Sequence, residues 1–363
     1  MKVNLRLTAF VALTFAGATS GHALERQGVE FKIFQFPPDK IPRIDGSADD
    51  WEIVPKDYIV GMDQLEDTVG GHGTNYDRRD LEVKVRVGWV KGMNQLYFLY
   101  EAFDDYWDFG QPGLHNDIFE VVVDGDLSGG PLIKQMHPFF KDRPEEAHFN
   151  FHGVHAQNYH IFTPAEGKDW AMVWGCQPWI KELPYANAAQ HYNFRPGQSG
   201  KLILEFWITP FDYAPADGPG RAIISQLKEN ALIGLSWAVL DYDDPKSERY
   251  KAFWNLSHKT TMYGNASDLC AFRLMPLEPS LARPIKAMWS FQVLDSAHRL
   301  VAFRDESTGK PASWQWDFGD GQSSTEQHPQ HRYQKGGEFT VTLEVQGQAG
   351  KSRLSKVWDL YLK

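Results

Sequence analysis

Three acidic stretches carry the side chains best suited to hold a hard cation. Asp104-Asp105 with Asp108, Asp124-Gly125-Asp126-Leu127-Ser128-Gly129-Gly130, and Asp241-Tyr242-Asp243-Asp244 each follow an apolar run. Calcium takes roughly six to eight oxygens on a chain flexible enough to wrap it, and Asp-x-Asp before a Gly-rich stretch meets that need. Asp124 and Asp126 lead this expectation of a structural Ca2+, followed by Asp104 and Asp105. The competing reading is a solvated turn whose aspartates bond their own backbone. Histidines are also concentrated: seven of thirteen lie between His115 and His191, including His148, His152, His155 and His160. On an extended chain His148, Asn150 and His152 share one face while His155 lies opposite, which makes no converging metal triad. No G-x-S-x-G elbow, H-E-x-x-H pair or phosphate-cradling Gly loop occurs. Carboxylate pairs are too numerous for spacing to single out a glycosidase couple.

The elements that must position these groups are read from a chain of 363 residues, long enough for two or three domains. Hydrophobic residues at 42% and charged residues at 23% fit a globular protein. The net charge of −10, without a long Lys/Arg run, excludes the electrostatic footprint of a nucleic-acid binder. Residues 1–23 read as a signal peptide: Lys2 and Arg6, then an apolar run too short to span a bilayer, then small residues ending at Gly21-His22-Ala23. No later stretch is apolar for long enough to span. The expected location is therefore secreted or periplasmic. Cys176 and Cys270 are the only cysteines. Outside the cytosol they could form a disulfide, and two buried thiols fit their apolar surroundings equally well.

Periodicity predicts an all-β chain. Leu81, Val83, Val85 and Val87 alternate with Glu82, Lys84 and Arg86, and similar runs occur at 95–101, 118–123, 201–209, 232–241 and 340–345. The best helical pattern is 222–230. Prolines at Pro276, Pro279 and Pro284 interrupt the pattern, dividing a first domain at 25–276 from a second at 287–363. Within the first, 131–196 lacks clean alternation and reads as an insertion of long loops and bent strands.

The second segment carries Trp316-Asp317-Phe318-Gly319-Asp320-Gly321, His328-Pro329, His331-Arg332-Tyr333 and a closing strand near 338–345. It resembles a PKD domain, an immunoglobulin-like β-sandwich. Trp316 and Phe318 are expected in the core with Asp317 facing away, Asp320-Gly321 in a tight turn, and Val341, Leu343 and Val345 on the inward face. The resemblance implies a spacer or contact module that engages other secreted or cell-surface proteins.

The first segment opens with Ile44-Asp45-Gly46-Ser47-Ala48-Asp49-Asp50-Trp51. It continues with 85–105, with Asn116-Asp117-Ile118-Phe119-Glu120-Val121-Val122-Val123-Asp124, and with 233–241 followed by Phe272-Arg273-Leu274. These stretches, in this order, resemble a family 9 carbohydrate-binding module, a jelly-roll type β-sandwich. The resemblance implies an oligosaccharide or polysaccharide partner and structural calcium. It places Glu120 at the sugar-contacting glutamate and Tyr263 at one of two clamping aromatic positions. The other aromatic position falls near Leu114, and a sugar-contacting arginine falls near Asn150, so one platform and one cation are missing. Trp107, or the cluster Trp170, Trp174 and Trp179, is the candidate replacement face, since a sugar binder needs aromatic platforms beside polar groups. Family 9 modules are non-catalytic, and two sandwiches fill this length. The expectation is a secreted, non-catalytic carbohydrate-binding protein accessory to polysaccharide recognition or degradation. Two alternatives stay open: a structural or surface-assembly protein with a degenerate sugar site, and a carbohydrate-active enzyme cutting glycosidic bonds with the His/Trp-rich insertion.

Overall fold

A computed structural model describes residues 24–110, 114–247, 249–282 and 284–360, so the expected signal peptide lies outside the described residues. The chain is all-β, with a single α-helix among the described residues. The first sheet runs in the order Ala171–Val173, Gln157–Phe162, Ile118–Asp124, Leu232–Asp241, Cys270–Leu274, Glu25–Gln35. The second runs Glu25–Gln35, Leu81–Trp89, Leu96–Asp104, Gly200–Ile208, Ala186–His191. One strand serves both: Glu30 to Ile33 pair with Ala271 to Leu274, then Phe34 and Gln35 pair with Gly88 and Trp89. The two sheets fold against each other as a sandwich.

Strand alternation builds the core between them. Leu81, Val83, Val85 and Val87 are buried while Lys84 is exposed. They meet Phe98, Tyr100, Phe119, Val121, Tyr159, Phe206 and Trp237 from both sheets. Each such side chain contributes about 1.5–3 kcal/mol on burial. The outer faces are covered too. Phe34, Phe36, Trp51 and Tyr58 pack on Tyr97 and Leu99 of the second sheet. There Glu205 accepts the backbone N–H groups of Gly46 (2.8 Å) and Ser47 (3.1 Å) and Trp51 Nε1 (2.8 Å), so the Ile44–Trp51 motif is a structural clasp. On the first sheet, Ile118, Val122, Ala238 and Leu240 lie under a roof of Leu132, Ile133, Met262 and Ala266.

Two local expectations fail. The 222–230 stretch is no helix: Ile223–Ile224 pairs with Phe211–Tyr213, because adjacent β-branched residues favour extended chain. The α-helix is Pro144–Phe151, inside the insertion expected to lack one. Pro144 opens it where its missing N–H costs nothing, and Glu145 and Glu146 face the positive end of the dipole. Cys176 and Cys270 do not pair. Cys176 lies against the carbonyls of His148 and His152, and Cys270 is buried beside the Leu256 carbonyl.

No strand pairing joins residues before 276 to those after 285 among the described residues. The C-terminal sheets are Trp289–Asp295, Leu300–Asp305, Gln330–Arg332 and, facing them, Ser323–Ser324, Ser313–Asp317, Gly337–Gly347, Gly350–Leu360. Trp316, Phe318, Tyr333, Val341, Leu343 and Val345 fill the space between. Gly319, at φ +79°, passes so close that a Cβ there would stand 2.7 Å from the Thr340 carbonyl oxygen. Only glycine fits that turn.

Candidate functional site

Two polar constellations stand out in the N-terminal sandwich, and the first is built from strand ends. Asp104 closes Leu96–Asp104 in the second sheet, Asp241 closes Leu232–Asp241 in the first, and Asp117 immediately precedes Ile118–Asp124. All three are buried at one end of the sandwich, with ligand oxygens within 4.8 Å of one another. Asp117 accepts the Tyr242 N–H (2.8 Å) and the Asp108 N–H (2.6 Å), and Asp104 accepts that of Tyr106 (2.8 Å). Neither carboxylate oxygen of Asp241 accepts a hydrogen bond. Burial and then mutual repulsion push Asp104 up to about 9, and Asp117 well above the carboxylate range. Asp241 is raised to about 8 by burial and the crowding of Asp243. Three buried oxygen donors with so little compensating charge suit a hard divalent cation, Ca2+ or Mg2+.

Beside this triad lies another, Asp80, Asp105 and Asp243. Lys251 supplies its counter-charge: Nζ stands 2.5 Å from both Asp80 Oδ1 and Asp243 Oδ2. The expected calcium residues therefore divide. Asp104 and Asp105 belong to separate clusters, and Asp124 and Asp126 belong to neither. Asp124 instead receives the N–H groups of Ser128 (3.2 Å) and Gly129 (2.8 Å), while the exposed Asp126 also accepts from Ser128 (3.1 Å). These bonds are the ones the turn reading expects. Asp241 lay in one of the three acidic stretches, ranked below Asp124 and Asp126, and Asp117 lay only in the quoted strand motif.

The second constellation occupies the roofed face of the first sheet. Asn158 Nδ2 donates to Glu120 Oε1 (2.7 Å) and to the Tyr263 carbonyl (2.7 Å). Glu120 and Tyr263, 143 positions apart, thus share one amide. Half-buried Trp174, Tyr250 and Tyr263 belong to the same cluster. Glu120 itself is only 3% exposed, and burial raises its pKa to about 7 against the opposing Asn158 hydrogen bond. Directly across from Glu120 in the sheet is His160, 4% exposed, with neither ring nitrogen in a hydrogen bond. Burial lowers its pKa to about 4, against a smaller upward pull from the Leu114 backbone. The imidazole is neutral at pH 7.

Other candidate residues fall elsewhere. Trp107 is 1% exposed, stacks on Phe194 at 5.1 Å and donates Nε1 to the Gly200 carbonyl (3.0 Å). It is a core residue and offers no ring face to a sugar. Trp170 and Trp179 pack against the main core, donating to the carbonyls of Lys181 and Pro215. Trp174 meets the ring of His160 edge-on at 6.0 Å. Asn150 is exposed on the helix Pro144–Phe151, outside the strands that carry Glu120 and Asn158. His148 and His152, one helical turn apart, bring their rings to 5.2 Å, yet no histidine joins a three-ligand group among the described residues. Sequence reasoning passed over Asn158 and weighed His160 only as one of the clustered histidines; strand pairing places both beside the Glu120 strand.

Residues 287–359 match the PKD domain family. Fifty-three residues are 45% identical to collagenase ColQ1 of Bacillus cereus (strain Q1), 15% of this chain and 5% of that protein's length. The PKD1 domain of the Vibrio cholerae metalloprotease PrtV aligns at 28% identity, covering 21% of this chain and 96% of that one, TM-score 0.20. A second likeness is to a family 9 carbohydrate-binding module from Caldicellulosiruptor kristjanssonii in complex with cellotriose. It covers 70% of this chain and 98% of that chain, at 13% identity and TM-score 0.43. The PKD match accounts for the Trp316–Gly321 turn and the closing strands. No described helix is long and apolar enough to cross a membrane.

Proposed function

We propose that this protein is an exported, non-catalytic glycan-binding protein whose site is centred on Glu120, with the PKD region as a spacer or contact module. The observation that supports this reading is the Asn158 amide joining Glu120 to Tyr263. It gathers a carboxylate, an amide and partly exposed aromatic rings on one sheet face, the combination that pairs sugar hydroxyls with polar groups and ring faces with C–H surfaces. Glu120 accepts the Asn158 amide through Oε1, and Oε2 is the oxygen assigned to the ligand. Tyr263, Trp174 and Tyr250 form the rim. The same proposal gives Asp104, Asp117 and Asp241 a structural Ca2+ that ties the ends of the two sheets. These residues would hold the ion and use it to neutralise their charge.

A glycan array and calorimetric titration test the reading, with Glu120→Gln and Tyr263→Ala as controls. Binding by the native protein that both substitutions abolish supports it, and silence across the array overturns it. One observation favours a second reading, a scaffold that has lost sugar binding. The roof of Leu132, Ile133 and Met262 leaves Glu120 almost fully covered, and Leu114 gives no second platform. The array separates the two.

A further inference from the structure

A cavity of about 680 Å3 opens beside the Glu120 face, on the side of the Ala171–Val173 strand. Its volume lies within the range of small-molecule sites. Leu114, Phe162 and Met172 supply apolar wall, and the rim carries Lys168 and Lys181 against Glu166 and Asp169. Most of this lining comes from the insertion, which the module resemblance leaves unexplained. Sheet register fixes where the cavity lies. Glu120 pairs across with His160, and His160 with Met172, so the cavity wall stands two strand spacings, about 10 Å, from Glu120.

His160 links the two places. Its ring sits 5.7 Å from that of Phe162, and it faces Met172 across the strands. Phe162 and Met172, two residues that line the cavity, thus lie beside a buried imidazole whose two nitrogens accept or donate no hydrogen bond. An orphaned polar group in such a position costs stability, and a ligand that bonds it recovers that cost. Met172 is partly exposed and unbranched, so a change of rotamer would open the way to it.

We propose that this cavity is a second saccharide subsite, occupied by the next unit of a neutral glycan held at Glu120, with His160 behind its wall of Phe162 and Met172. The inference rests on the Glu120 reading. Neutral sugar follows from the balanced rim, two cations against two acids, one pair of which is joined by Lys181 Nζ and Asp169 Oδ2 at 2.8 Å. Lys168, 4.7 Å from the centre of the Phe162 ring and 3.3 Å from Asn116 Oδ1, is placed to donate to a hydroxyl over that ring.

The test titrates the full chain with matched sugars: glucose, cellotriose and maltotriose, and xylose with xylotriose. The expected result is a trisaccharide bound at least about tenfold tighter than its monosaccharide. Lys168→Met should remove that gain and leave monosaccharide affinity unchanged. His160→Phe should remove it too, with a melting temperature equal to or above that of the native protein, because an unpaired buried polar group is lost. Monosaccharide binding that Glu120→Gln abolishes, without any gain from chain length, overturns the subsite and leaves the Glu120 reading standing. A gain that survives both Lys168→Met and His160→Phe also overturns it. If no sugar binds, the Glu120 reading fails and the subsite fails with it.

Discussion

Asp104 and Asp105 are consecutive in the chain and serve different clusters, the first with buried Asp117 and Asp241, the second with Asp80 and Asp243. Successive side chains at a strand end point to opposite sides, so one acidic pair feeds both an interior and an outer site. The outer cluster has Lys251 as its cation. The inner one has none within hydrogen-bonding distance, since Lys251 Nζ lies 3.9 Å from Asp241 Oδ2.

That imbalance predicts how stability depends on pH. Asp104 and Asp241 are raised to about 9 and about 8 in the folded chain, with Asp117 raised too. Unfolded aspartate titrates near 4. Between those values the folded state binds more protons than the unfolded, so stability falls as pH rises from about 4 to about 9. Thermal melts in EDTA should show this decline. Added Ca2+ should flatten it and raise the melting temperature most at pH 8. Identical profiles with and without the ion would remove the metal site.

Substitution separates the inner triad from the turn aspartates. Asp241→Asn should abolish the Ca2+-induced rise in melting temperature and stabilise the metal-free protein at pH 8, because one buried charge is gone. Asp124→Asn should leave the Ca2+ response intact while lowering the melting temperature, since Ser128 N–H bonds Oδ1 and Gly129 N–H bonds Oδ2 and an amide keeps only one of these two acceptors. Equal loss of response in both variants contradicts the assignment.

Sequence alternation located these strands because one face of each is apolar, as at Leu81 to Val87. It also told that Trp316 and Phe318 face inward while Asp317 does not. Convergence was a different matter. Asp104, Asp117 and Asp241 lie at the ends of strands separated by up to 137 positions, and only sheet order brings them together. Asp124-x-Asp126 looked the better ligand pair because its spacing is local, and the same locality lets it bond its own turn. Tryptophan count misled for a related reason. Trp107 lies in an acidic loop, yet its ring closes over Phe194 from a segment 87 residues later.

Glu120 makes sugar affinity sensitive to pH. Burial raises it to about 7, so its acceptor form declines below neutrality. From pH 8 to pH 6 the ionised fraction drops about tenfold, and affinity that depends on the carboxylate should weaken by about the same factor. Titrations at both pH values measure this directly. Glu120→Gln should bind weakly at both, with no dependence left. A native protein whose affinity is flat across this range does not use Glu120 as an anion.

Trp107 and Trp174 should respond to truncation in opposite ways. Trp107 is enclosed by Phe194 and bonded to Gly200, so Trp107→Ala leaves a cavity and an unpaired carbonyl, at a cost of about 3–5 kcal/mol. Its effect on sugar affinity, measured below the melting transition, should be slight. Trp174 is half-buried at the rim, edge-on to His160, and Trp174→Ala should cost about 1 kcal/mol in stability. It should nevertheless weaken glycan binding about tenfold, because a ring face beside Glu120 is lost. Denaturant melts paired with calorimetric titration of each variant give both quantities. If Trp107→Ala weakens binding more than Trp174→Ala in folded protein, the glycan does not lie on the Glu120 face.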